Sequence, residues 1–115
     1  MPSVDHQLTR TGQRAVDRRR ASWTASLLAD REFRTEQIQQ LDRDLALSRA
    51  PGDITETLRE NALAALRDID DALARLVSGR FGRCVTCPRA VEPVLLDVLP
   101  MAAQCMSCRY DADED

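Results

Sequence analysis

The sequence predicts an all-α fold, an antiparallel coiled-coil hairpin of two long helices standing on a small four-cysteine base. Three observations carry that prediction. Two segments of helix-forming composition, each with an apolar stripe at helical spacing, flank a single short break that contains Pro and Gly. Aromatic residues make up only 3% of the 115-residue chain, so an extended aliphatic seam suits it better than a wide globular core. The four cysteines come late, in two C-x-x-C pairs, after a long stretch that has none.

The first helix is expected over roughly Thr11 to Ser48, a segment rich in Ala, Leu, Arg, Gln and Glu that holds no Pro and no Gly beyond Gly12. Val16, Trp23 and Leu27, then Ile38, Leu41 and Leu45, recur at spacings that place them on one face, with Arg31 and Arg34 interrupting the seam midway. The break reads "SRAPGDITE". Pro51 disfavours helical geometry at Ala50, Gly52 can take a positive φ, and Asp53 is placed to cap the next helix. Glu56, three residues on, would complete a capping box. The second helix, Asp53 to Ser78, carries the cleaner stripe: Ile54, Leu58, Ala62, Leu66, Ile69, Leu73 and Leu76, stopped by Gly79. Helices joined by so few residues run antiparallel. The first is the longer, so its surplus start, including Trp23, should pack against the cysteine module. The chain thus divides into a helical hairpin over 1–79, with its tip near 49–56, and a cysteine module over 80–115 with a short acidic tail.

Charge and composition exclude several classes of function. The net charge of −3 argues against a nucleic acid as main partner, because affinity for a polyanion comes from neutralising phosphates. Every Lys or Arg position is Arg; "TRTGQRAVDRRR" is a basic stretch, whereas the acidic "DADED" closes the chain, and the plain reading of each is a solvated face or a frayed end. No window is apolar enough to span a membrane, and "MPSVDHQLTR" lacks the pattern of a secretory signal, so a cytoplasmic, membrane-free monomer is expected. No nucleophile, general base or phosphate-binding loop is recognisable, which argues against an enzyme.

In a reducing compartment, paired C-x-x-C motifs point to metal more than to disulfides. Zinc takes four soft ligands tetrahedrally, and each pair offers two thiolates from one tight turn. Cys84 and Cys87, then Cys105 and Cys108 about 17 residues on, therefore make one structural zinc site closed to water. Disulfide or redox chemistry is the alternative. His6, the only other soft ligand, lies too far towards the N-terminus to be a good candidate.

"ALARLVSGRFGRCVTCPRAVEPVLLDVLPMAAQCMSCR" resembles the DksA/TraR zinc-finger family. Gly79, Phe81, Gly82, Cys84, Cys87, Val91, Leu96, Pro100, Ala102, Cys105 and Cys108 fall on its pattern in one gapless run. With the preceding hairpin, the resemblance covers nearly the whole chain. It implies an all-α fold with a small zinc ribbon, and a transcription regulator of the stringent-response type that binds RNA polymerase rather than DNA. Such proteins pass a coiled coil through the secondary channel and act on promoter open complexes with acidic residues at the tip. The matching tip acids here are Asp53 and Glu56, with Asp42 and Asp44 as reserves. Arg109 matches a basic position that contacts ppGpp or the polymerase rim in some members.

The chain departs from the family pattern in several places. The usual glycine after the second cysteine is Pro88, and basic positions associated with ppGpp are Leu95 and Leu99. The D-x-x-D-x-A tip signature reads Asp53, Glu56 and Leu58. Two other readings stand beside the resemblance: a zinc-ribbon adaptor for a different protein, and a zinc-thiolate redox sensor, for which Arg83 and Arg109 are the only charges flanking the cysteines.

Overall fold

The computed structural model describes residues 10–47 and 52–113. They form four helices: α1 (Arg10–Leu47), α2 (Asp53–Ser78), α3 (Pro93–Val98) and α4 (Met106–Asp113). α1 and α2 pack together as the hairpin, and extensive helix packing is confined to this pair. At about 1.5 Å per residue α1 is about 57 Å long and α2 about 39 Å. The body measures 71 × 33 × 21 Å. None of the described helices is long and apolar enough to cross a membrane.

The helix limits follow the local chemistry closely. α2 ends where Gly79 adopts a left-handed φ of 77°, a conformation in which only glycine escapes a Cβ penalty. The chain then folds back, with Arg80 N–H donating to Arg75 O at 2.9 Å and Gly79 N–H to Leu76 O at 3.4 Å, so the terminal carbonyls of α2 are used. The start of α2 differs from the sequence reading. Gly52 is the N-cap, in extended geometry, and its carbonyl accepts from Thr55 and Glu56 N–H. Asp53 is the first helical residue and Glu56 lies one position beyond the capping-box register, so the pair does not form that box. The residues between α1 and α2, 48–51, and the termini, including His6 and the end of the acidic tail, lie outside the described residues.

The seam is buried unevenly. Leu27, Ile69 and Ala72 form a buried cluster near the base, joined by Leu73, Leu76, Phe81 and Met101. Ala62 is buried further along. Towards the free end, however, Ile54 is 77% exposed and Leu58 45% exposed, although both continue the same stripe. There the helices have only each other, and a two-helix contact cannot enclose a side chain that no third element covers. Val16, at the opposite end of the α1 stripe, is likewise exposed.

The two arginines that break the seam serve different ends. Arg31 reaches across to Asp70, Nε to Oδ1 at 2.8 Å, while Arg34 donates to Gln37 within α1 at 2.9 Å. Nearer the tip Arg59 pairs with Asp42 at 2.5 Å. Each exposed pair contributes little to stability, but the two lie three helical turns apart on both helices and so report one antiparallel register.

The cysteine module carries no β-strand among the described residues. The expected ribbon is reduced to one antiparallel bridge between Arg83 and Ala90, flanked by α3 and α4. Pro93 opens α3, and Pro100 follows it closely, which limits that helix to six residues. The acidic "DAD" of the expected tail belongs to α4 rather than to a free end.

Candidate metal centre and rod tip

The first cysteine pair sits in a turn that exposes backbone N–H groups to sulfur. Thr86 N–H donates to Cys84 Sγ and Arg89 N–H to Cys87 Sγ, both at 3.4 Å. Pro88 has no N–H to offer, and the next residue supplies one instead, so the proline is accommodated without a positive φ. The second pair spans the start of α4, where Arg109 N–H donates to Cys105 O.

Three further bonds tie the first turn and its following segment to the second. Val85 N–H donates to Ala103 O at 2.9 Å, Gln104 Nε2 to Thr86 Oγ1 at 2.9 Å, and Met106 N–H to the Glu92 carboxylate at 3.0 Å. Glu92 thus places a negative charge at the N-terminus of α4, where free N–H groups attract it.

The result is that Cys84, Cys87, Cys105 and Cys108 bring all four sulfurs within 4.8 Å of one another. Cys84 and Cys105 are buried, while Cys87 and Cys108 are half-buried. Metal–thiolate bonds of about 2.3 Å in a tetrahedron put sulfurs about 3.8 Å apart. The Cys87–Cys105 separation is 3.7 Å. Four thiols this close cannot all ionise by themselves. Burial opposes charge at Cys84, yet N–H groups of Cys105, Thr86 and Cys87 and the Cys108 side chain bring it down to about 6. Hydrogen bonding to Cys105, together with burial, pushes Cys108 up to about 12. A cation among them removes this conflict, so the donor set fits a soft divalent metal.

The base is joined to the hairpin by Trp23. Its ring meets Phe81 at a centroid separation of 5.7 Å, and both pack on the buried cluster of Cys84, Val91, Leu96, Ala102 and Cys105. This is the contact expected of the surplus start of α1. Sequence reasoning did not single out its polar half. Asp97 on α3 accepts from Trp23 Nε1 at 2.7 Å and from Arg19 at 3.2 and 2.7 Å, and the Arg19 hydrogen bond, then that of Trp23, lowers its pKa. The available signal was a lone acid inside "PVLLDVLP", a position with no local reason for charge.

At the other end, the four acids named from the sequence have different fates. Asp42 is engaged by Arg59, and Asp44 accepts from Gln40 at 3.0 Å. Asp53 and Glu56 are exposed in the first turn of α2 and take no hydrogen bond from another described side chain. Arg109 lines a cleft of about 430 Å³ between α2 and the module, together with Arg75, Asp68, Asp71, Leu99 and Gln104.

No family model, curated protein or solved structure matches this chain.

Proposed function

We propose that the chain is a transcription regulator that binds RNA polymerase directly, holds one structural zinc at Cys84, Cys87, Cys105 and Cys108, and inserts its hairpin into the secondary channel to bias promoter open complexes. The observation that carries this reading is the disposition of the parts: a narrow two-helix rod with exposed acids, Asp53 and Glu56, in the turn that opens α2 and a four-cysteine cluster at its base. Zinc suits the clasp because it is redox-inert, accepts four sulfurs tetrahedrally and needs no open position.

In this reading the base and the rod flanks supply affinity. The tip acts by interacting differently with the states of the open complex, since a ligand shifts an equilibrium only by its differential affinity. Asp42 and Asp44 are secondary because their carboxylates are already engaged. Nucleotide control through ppGpp is not part of the proposal. The cleft at Arg109 also holds Asp68 and Asp71, and a polyphosphate there would meet two carboxylates beside its two arginines.

The test is co-purification of the full-length chain with RNA polymerase, with competition by a Gre-type secondary-channel factor. A photocrosslinker at Glu56 should label polymerase residues near the active site. Failure to bind polymerase, or tight binding to bare promoter DNA with a steep salt dependence, would overturn the proposal.

A further inference from the structure

Two side chains of α1, Arg19 and Trp23, converge on a single carboxylate, Asp97, which lies on the six-residue helix α3. α3 belongs to the segment strung between the two cysteine pairs, so its position is set from both ends by ligand turns. Its buried anchor, Leu96, sits in a cluster of five residues of which two, Cys84 and Cys105, are themselves ligands. A core that small does not hold its shape by apolar burial alone, and in such modules the metal's binding energy is folding energy. Helix α1 is stabilised elsewhere by α2, but that pairing ends where α2 ends. The first turns of α1 extend beyond it, and their described side chains from Arg14 to Arg20 are exposed.

From this arrangement we propose that Asp97 is a hook through which the state of the four-cysteine centre governs the seating of α1's first turns. A metal-loaded centre fixes α3, and α3 presents Asp97 at the height of Arg19 and Trp23. With the centre empty, α3 loses its two fixed ends and the hook no longer holds its station. The first turns of α1, with Arg14, Arg18 and Arg20, then come free of the base, while the hairpin keeps its register through Arg31–Asp70 and Arg59–Asp42. Coupling of this kind is reciprocal, so a broken hook weakens metal binding by the factor by which the metal tightens seating. The inference rests on the metal half of the proposed function and is independent of the polymerase.

Trp23 is the only tryptophan and reports the seating directly. The experiment compares full-length chain loaded with zinc, stripped by a strong chelator under reducing conditions, and reloaded with Zn2+ alone. The readouts are Trp emission and amide hydrogen exchange. Stripping should shift emission to the red and speed exchange over residues 14–24 by at least about tenfold, against little change over 36–46 and 55–64, and reloading should reverse both. Asp97→Asn and Arg19→Gln should show the stripped-type emission with zinc still bound, and about fivefold weaker zinc affinity in competition with a chromophoric chelator, at the low end of ordinary coupling. Arg19→Gln leaves the module's sequence intact, so it tests the hook even if Asp97→Asn disturbs α3. Identical emission and exchange in loaded and stripped protein would overturn the inference. So would parental emission and parental zinc affinity in both variants. A chain that takes up no zinc sinks the metal reading and this inference with it, whereas a failure to bind polymerase touches neither arm.

Discussion

Replacing Asp53 by Ala separates the charge at the rod tip from the stability of the helix that carries it. Had Asp53 been the N-cap, the change would cost about 1 kcal/mol, and any loss of function would be ambiguous. In the structure the cap is Gly52, and the described side chain of Asp53 makes no capping bond. Two small terms remain. A carboxylate in the first turn gains about 0.3–1 kcal/mol from the helix dipole, and Ala recovers about 0.5 kcal/mol through its better helix propensity. They nearly cancel, so Asp53→Ala should unfold within about 0.5 kcal/mol of the parent in urea, followed by circular dichroism at 222 nm. Polymerase affinity should also hold, since the base and flanks are untouched, while the effect on open-complex lifetime should fall substantially. A loss of about 1 kcal/mol or more would refute the geometry, because it would make Asp53 the cap after all. Parental stability with a parental effect on open complexes would refute the charge's role and move attention to Glu56.

Other consequences can be checked more briefly. Metal analysis of untagged, reduced protein should give one zinc per chain, and Cys84→Ser or Cys105→Ser, at the two buried cysteines, should lower that content sharply while leaving much of the hairpin helical. Ile69→Ala should cost about 2–4 kcal/mol in denaturant unfolding, because Ile69 is 1% exposed, whereas Ile54→Ala should stay within about 0.5 kcal/mol; equal penalties would contradict the uneven burial of the stripe. Gly79→Ala should cost about 1–2 kcal/mol through its left-handed φ alone, since an added Cβ meets nothing within 4 Å, and a neutral result would show that the turn relaxes.

Features that depend on neighbours along the chain were legible before any fold was known. The end of α2 at Gly79 and the helical character of 10–47 follow from propensity and turn chemistry, which act over a few residues. The four-cysteine cluster was readable for a related reason, because each C-x-x-C turn presents two sulfurs locally and only the meeting of the two turns is long-range. The packing of Trp23 on the base followed from unequal helix lengths.

Long-range packing, by contrast, selected which members of a uniform stripe are buried. Ile54 and Ile69 have the same periodicity, yet only Ile69 lies with Leu27 of α1 where Phe81 and Met101 supply a third wall. It decided that Asp42 is occupied by Arg59, which depends on hairpin register rather than on composition. It also decided that a module read as a ribbon folds as two short helices around one bridge, because Pro93, Pro100 and the two cysteine turns leave too little chain for paired strands. Asp97 is the clearest case. Its partners lie 74 and 78 residues away, so the lone acid of "PVLLDVLP" takes its meaning from a helix that only the fold brings back to it.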